Sequence, residues 1–432
     1  MKAAASEGRR AALLVLGIGL MYAPMLSAPI IYDDAGHVRD NAVFQLPFSA
    51  FWRGLISRDY FAFAVERTYQ PLVTLFHYFT HNDPLIYRLS GLSIHAVNSF
   101  LIYKIAQRFA GRRPALISCL LFASFPAHTE LLNFSAFKGH LFAASCTLAV
   151  LLSVIDFCAG KVKTSLPLRS VVFLILGLLC KETALAAVLL TYIYIAIFAR
   201  SELRRLRYLL LTFAAISVSY LWFRFSYLAP PPPFPRIFTY SPVESFAFYV
   251  RTLAVPYPLC LERSLPGGPS YLLWLAASLA AFILVRKSRE SVFSLLWIPA
   301  TLLPFLHLIS FSNVSPVADR YLYLPAAGFC LLLATSLAHV PRGELVLCAL
   351  AVLWSGLTLA RNLTYRSTRA LFEQGASCAP HNPRAQFLLG MICFQEGDYK
   401  ASRAAYERVL SLTDSPGARA ALLDIDRVER SR

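Results

Sequence analysis

Ala11-Ala-Leu-Leu-Val-Leu-Gly-Ile-Gly-Leu-Met-Tyr-Ala-Pro-Met-Leu-Ser-Ala-Pro-Ile-Ile31 contains no charged residue, and Tyr32-Asp33-Asp34 follows it without a spacer. About 20 apolar residues cross the hydrocarbon of a bilayer as one helix, whereas a signal-peptide core has only about 7 to 15. The run reads as a retained spanning helix, and the acidic couplet as lying where the chain leaves the membrane. Composition agrees: of 432 residues, 57% are apolar and 15% charged, against roughly 25% charged in a soluble chain. A soluble enzyme, a disordered chain and a disulfide scaffold are excluded. The 41 Lys and Arg against 24 Asp and Glu give +17, which in a soluble protein would point to nucleic acid. In a membrane protein the same excess collects in cytoplasmic loops, so no nucleic-acid partner is expected. Most of the nine Cys, among them Cys119, Cys146, Cys180, Cys330 and Cys348, lie in apolar runs as small hydrophobes and indicate no redox compartment.

Working outward, ten further apolar segments centre on Gly91–Phe109, Pro114–Ala127, Leu141–Ile155, Ser170–Cys180, Ala184–Phe198, Tyr208–Phe223, Tyr271–Val285, Val292–Phe311, Tyr321–Ala338 and Leu345–Ala360. The expected fold is all-α: a polytopic bundle of about eleven spans over residues 1–360, followed by a short helical region over 361–432. With Lys2, Arg9 and Arg10 in the cytoplasm, every second connection should be cytoplasmic and basic. These are Gly111-Arg112-Arg113, Gly160 to Arg169, Arg200 to Arg207, Val285 to Ser291 and Val340 to Glu344, all short and basic. The long connections, Tyr32 to Ser90 foremost, fall on the outer side with most of the acidic residues outside the tail. The stretch Arg169 to Arg200 must turn back at Lys181-Glu182, because a single span there would send the later basic loops outside. An odd number of spans leaves the C-terminus outside, in the periplasm of a bacterial inner-membrane protein or the lumen of the endoplasmic reticulum.

The first outer loop, residues 32–90, is too long for a passive connection and dense in aromatics, which suits short helices along the headgroups. Pro71 to Phe79 is too short to span and reads as interfacial or re-entrant. Pro230 to Pro233 and Pro235 read as a stiff spacer. Past Arg361, Thr368-Arg-Ala-Leu-Phe372-Glu373 recurs 34 residues later as Ser402-Arg-Ala-Ala-Tyr406-Glu407, the tetratricopeptide period. Since one repeat cannot bury its own apolar face, the stack should lean on the membrane domain or on a partner chain.

The residues able to carry chemistry gather on the outer side. Asp33 and Asp34 are the first candidates: neighbours do not share a helix face, so one carboxylate can enter a pocket as general base while the other orients it, binds a divalent cation, or caps a helix. An ordinary Asp helix cap remains open for the pair. His128, Glu130 and Lys138 follow the third span with spacing too poor for zinc. Lys181-Glu182 and Asp319-Arg320 read either as structural ion pairs or as cations offered to a phosphate. Transporters place ionisable groups near mid-bilayer with repeat symmetry, and neither is found. With no Gly-rich phosphate loop in the sequence, a lipid-delivered donor whose head lies level with Lys138, Lys181 and Arg320 is the economical choice. Sequons occur at Asn133, Asn313 and Asn362.

Tyr32-Asp33-Asp34 with Asn41, Tyr69-Gln70-Pro71-Leu72, His128-Thr129-Glu130, Lys181-Glu182, Asp319-Arg320-Tyr321-Leu-Tyr323-Leu-Pro325 and Arg361-Asn362 leading into repeat helices resemble, in that order, the transmembrane-and-tetratricopeptide family of protein O-mannosyltransferases. The resemblance implies the C-type glycosyltransferase fold and inverting transfer of a sugar, mannose favoured, from a dolichyl- or polyprenyl-phosphate carrier to a protein hydroxyl. It places the base at Asp33 or Asp34; the candidates for binding substrate or the lipid phosphate, read from their charge and side, are His128, Glu130, Lys138, Lys181, Glu182 and Arg320. Gln70 departs from the Arg usual there, and the repeat region is shorter than the family's arrays. Alternatives are a transferase or ligase acting on envelope glycan, and a non-catalytic membrane scaffold.

Overall fold

The computed structural model describes residues 2–80, 83–161, 167–231, 241–263, 265, 269–306, 317–337 and 340–431, with side chains from residue 12 onward. Each of the eleven apolar segments contains a helix, and no strand occurs among the described residues. The helices are α1 (Lys2–Tyr22), α2 (Pro84–Phe109), α3 (Arg112–Ala123), α4 (Lys138–Cys158), α5 (Leu168–Cys180), α6 (Ala186–Phe198), α7 (Leu203–Trp222), α8 (Tyr271–Val285), α9 (Arg289–Leu302), α10 (Tyr323–Leu337) and α11 (Gly343–Thr364). The tail adds α12 (Thr368–Cys378), α13 (Pro383–Gln395), α14 (Tyr399–Leu412) and α15 (Pro416–Arg430).

Local chemistry explains the breaks. Asp83 caps α2 by accepting from the N–H groups of Leu85 and Ile86 at 2.8 and 3.2 Å, with Pro84 in the first turn. Gly111 takes a positive φ of 83° between α2 and α3. Lys181 is extended between α5 and the 3-10 turn Glu182–Leu185 that leads into α6, so this stretch is two helices with a corner. The first helix ends earlier than expected: α1 stops at Tyr22 and a 3-10 turn carries the chain to Ser27. Pro24 and Pro29 remove two backbone N–H groups that a continuous helix to Ile31 would need.

Buried α4 is the centre of the bundle, packed against α2, α5 and α6, while α10 lies between α9 and α3. A polar network ties three of these helices: the Tyr323 hydroxyl meets His95 Nδ1 at 2.8 Å and takes an N–H from Asn98 at 3.1 Å, and Ser145 donates to Asn98 at 2.7 Å. Satisfied polar groups of this kind link helices where lipid supplies no hydrophobic drive. On the periphery α8 has no buried residue, and α11 turns Leu345, Val346, Val352 and Leu353 outward. Among the described residues five helices are long and apolar enough to cross a membrane, and one of them, Gly343–Thr364, is only 22% buried inside the fold. An exposed apolar belt of this extent belongs in lipid, and the chain is an integral membrane protein.

Between α1 and α2, residues 32–80 fold into short helical pieces, including Phe48–Leu55, Tyr60–Ala64 and Pro71–Thr80, the last packed against α5. In the tail, α13 and α14 form a tight hairpin turned by Gly397 at φ 79°. Gly390 permits its closeness, because a Cβ there would lie 3.0 Å from the Tyr406 ring. The sequons are not glycan acceptors where they are described: Asn133 donates to Asn362 Oδ1 at 2.7 Å, and Asn362 donates to the Met21 carbonyl at 3.1 Å, both side chains buried. Asn313 lies outside the described residues, as do Pro232, Pro233 and Pro235 of the spacer.

Gly328 in α10 faces Trp297 of α9, and a Cβ there would stand 2.7 Å from the indole. Gly328→Val is expected to destabilise the protein by about 1–3 kcal/mol through overpacking. Gly356→Val in α11, where nothing lies within 4 Å, should leave it near wild type; thermal unfolding in detergent compares the two.

Candidate functional site

Beyond the 3-10 turn the chain is pinned by α2: the Arg88 guanidinium donates to the carbonyl of Leu26 at 3.1 Å and to that of Ala28. Tyr32 then adopts a left-handed φ of 58° and delivers the couplet. The two acids part company immediately. Asp34 is buried and accepts the backbone N–H groups of Ser135 at 2.8 Å and Ala136 at 2.7 Å. These residues open the 3-10 lead into α4, whose first N–H groups have no partner of their own. The cap reading is thus correct in kind for Asp34, but the helix capped is a hundred residues distant; over its own turn, Ala35–Arg39, Asp34 makes no side-chain cap. Burial raises its carboxyl to about 6, and the two N–H donors oppose that rise.

Asp33 is half-buried and makes no hydrogen bond among the described residues. Loss of solvent raises its carboxyl above the ordinary aspartate value, while Arg320 and His37 pull it down. A carboxylate with free lone pairs beside one immobilised neighbour is the arrangement a general base requires.

The other candidates divide into those near Asp33 and those turned away. Arg320 donates its guanidinium to Glu130 at 2.5 Å and its backbone N–H to the same carboxylate at 3.1 Å, with the guanidinium carbon 4.4 Å from the Phe137 ring centre. Asp319 does not pair with Arg320; it is held by Arg263 at 2.8 Å and takes the Cys260 N–H at 3.2 Å. Lys181 carries an amine whose basicity is lowered by burial and supported by Glu182 and Glu66. Glu182 is buried, in the field of Arg224 and Tyr220.

Lys138, the first residue of α4, is fully buried inside the protein; its Nζ donates to the Leu132 carbonyl at 3.2 Å and its charge faces Asp34. His128 is remote from the couplet, packed among Phe122, Tyr323 and His95 with ring centres 4.5, 4.6 and 5.3 Å away. No group of three His, Cys, Asp or Glu among the described residues has the geometry to hold a metal.

Sequence reading missed Glu66, which shares the fields of His37, Lys181 and Asp33, and it missed His140, facing Lys181 and Arg320 from α4. Both were hidden by ordinary surroundings, one in an aromatic loop and one inside an apolar helix. Asp33, Glu66, Lys181 and Arg320 form two acids and two bases in mutual electrostatic contact. Such a cluster can hold an anionic group against its cations while leaving Asp33 to take a proton.

The Glu130–Arg320 pair is buried at both ends. Glu130→Ala, leaving the guanidinium uncompensated, should cost about 3–5 kcal/mol. Removing both partners as Glu130→Ala with Arg320→Ala should cost less than Glu130→Ala alone, a difference measurable by thermal unfolding of the two proteins.

Sequence comparison adds a family to this geometry. The model of the dolichyl-phosphate-mannose-protein mannosyltransferases matches residues 71–222. A protein O-mannosyl-transferase of Caenorhabditis elegans is 23% identical over 456 residues, 95% of this chain and 64% of that protein. The protein O-mannosyl-transferase TMTC4 of Mus musculus is 22% identical over 90% of this chain and 64% of its own length; TMTC3 of Mus musculus is 26% identical over 42% of this chain and 21% of its own. The chain thus spans a little under two thirds of the curated relatives that it matches along its length. No solved structure matches it. Over most of its length the chain is thus similar to protein O-mannosyl-transferases, and residues 71–222 within its bundle of apolar helices match the mannosyltransferase family model.

Proposed function

We propose that the protein is an inverting mannosyltransferase that moves mannose from a dolichyl- or polyprenyl-phosphate carrier to a hydroxyl of a protein acceptor, on the outer or lumenal face of the membrane. The observation that carries this reading is the division of labour in the couplet: Asp34 is spent on two backbone N–H groups, and Asp33 beside it is unbonded among the described residues and close to Arg320.

In this reading Asp33 takes the proton from the acceptor hydroxyl as its oxygen attacks the anomeric carbon. The bond from that carbon to the phosphate oxygen breaks on the opposite face, and the lipid phosphate leaves with the electron pair. Arg320 and Lys181 stabilise the negative charge that develops on the leaving group. Glu130 holds the Arg320 guanidinium in place from behind. We assign Asp34 to positioning and not to cation binding, because a carboxylate already accepting on both oxygens within a buried turn has little left to offer a metal. Lys138, facing Asp34 from below, offsets part of the cost of its charge.

The disulfide between Cys260 and Cys378 supports the sidedness, since such bonds persist in the periplasm or the secretory lumen and are rare in cytosol. Both cysteines fall on the outer side of the charge-based topology.

Asp33→Asn is expected to lower transfer of mannose from a polyprenyl-phosphate donor by about 10²–10⁴-fold with expression intact, the range of a lost general base. Undiminished transfer in that variant would contradict the mechanism. The base must be ionised, so the wild-type rate should fall as pH drops through a midpoint above the ordinary aspartate range, in the direction burial moves Asp33; a pH–rate profile of kcat/KM locates that limb.

A further inference from the structure

Asp33 has no bond of its own among the described residues, so its position is set by its neighbours. On one side Asp34 is tied to the lead of α4. On the other, Tyr32 holds a left-handed backbone, a conformation that is strained for a bulky L residue and persists only where surroundings impose it. The Tyr32 ring lies between Phe134 and Phe372, at 5.6 and 6.2 Å. Its hydroxyl donates to Glu262 Oε1 at 2.6 Å, and the same oxygen accepts from Arg384 Nε at 2.7 Å. A second Arg384 nitrogen donates to the Tyr32 hydroxyl at 3.2 Å. Phe372 belongs to α12 and Arg384 to α13, so the residue before the couplet is gripped by the tail.

The tail also reaches the cationic side of the site. Asn382, at the start of α13, donates to the Arg263 carbonyl at 3.1 Å, and Arg263 holds Asp319, the neighbour of Arg320. A disulfide joins Cys378 at the end of α12 to Cys260, Cα to Cα 6.2 Å apart. One short segment, residues 260–263, thus couples the C-terminal helices to the acid and to the guanidinium alike.

We infer that α12 and α13 form an intramolecular clasp over the couplet, in which Tyr32, Glu262 and Arg384 are positioning residues that set the placement of Asp33 opposite Arg320. The catalytic part of this inference rests on the function proposed above; the mechanical part does not. Loosening the clasp frees the Tyr32 backbone to relax from its left-handed state, and Asp33 moves with it. Displacement of a reacting group by about 1 Å can cost about 10²-fold in rate without touching substrate binding.

The test uses full-length protein in detergent with three variants: Arg384→Ala, Tyr32→Phe, which keeps the ring and removes the hydroxyl, and Arg384→Lys. Amide hydrogen exchange over residues 31–36, kcat and KM for polyprenyl-phosphate mannose, and thermal unfolding are measured on each. Arg384→Ala should speed exchange in that segment about tenfold and lower kcat about 10²-fold, with KM within about twofold of wild type. Tyr32→Phe should show a smaller effect in the same direction, and Arg384→Lys should recover part of the loss. Exchange at residues 31–36 equal to wild type in both Arg384→Ala and Tyr32→Phe overturns the clasp, whether or not the protein transfers mannose. Faster exchange with no fall in kcat overturns the positioning role. If wild-type protein transfers no mannose while exchange responds as described, the proposed activity fails and the clasp stands.

Discussion

The site depends on how the chain starts α4 at the membrane edge. A helix that begins there has backbone N–H groups with no partner, and an unpaired buried N–H is costly in a low-dielectric setting. Asp34 supplies both acceptors from a segment a hundred residues earlier, so the loop after the first helix and the helix at the centre of the bundle are fastened at one carboxylate. Lys138 lies beneath that contact and Gly91 makes room for it, a Cβ there falling 2.6 Å from the amine. Once Asp34 is committed, the adjacent acid must point elsewhere, since successive residues do not share a direction. The geometry of Asp33 is a by-product of a structural requirement of its neighbour.

A second constraint comes from pairing charges in a bundle with few of them. Arg320 and Asp319 are adjacent in sequence yet go to different partners, Glu130 and Arg263. Each buried charge acquires a counter-ion from another element, which joins the loop before α10 to the turn before α4 and to the segment at residues 260–263. Asp33, Glu66 and Lys181 complete the set around Arg320. Glu130 fixes the direction of the Arg320 guanidinium, and a preset direction is the condition under which electrostatic stabilisation of an anionic group is most effective.

Much of this was legible in the sequence. Apolar segments marked where the helices of residues 1–360 lie, and the charge pattern around Lys181 marked the corner between two of them. The 34-residue recurrence located the helices of the tail. The couplet stood out because two acids follow an apolar run with no spacer. What could not be read was long-range pairing. Cys260 and Cys378 are 118 residues apart, and although both lie outside the apolar runs, no local pattern pairs them with each other. Arg384 lies 352 residues from Tyr32, in a helix whose pattern announces only a repeat. His128 looked polar and interfacial, yet an aromatic cage takes it into the interior. The sequons at Asn133 and Asn362 failed for a related reason: three residues define a sequon, but burial decides whether an enzyme can reach it.

The account stands on the couplet facing the outer compartment. Arg39, exposed and five residues past Asp34, can be replaced as Arg39→Cys and treated with a membrane-impermeant maleimide in intact cells or sealed vesicles of known orientation. Labelling from the outer side before permeabilisation is the result expected. Labelling that appears only after the membrane is opened would put the couplet in the cytoplasm and contradict the account.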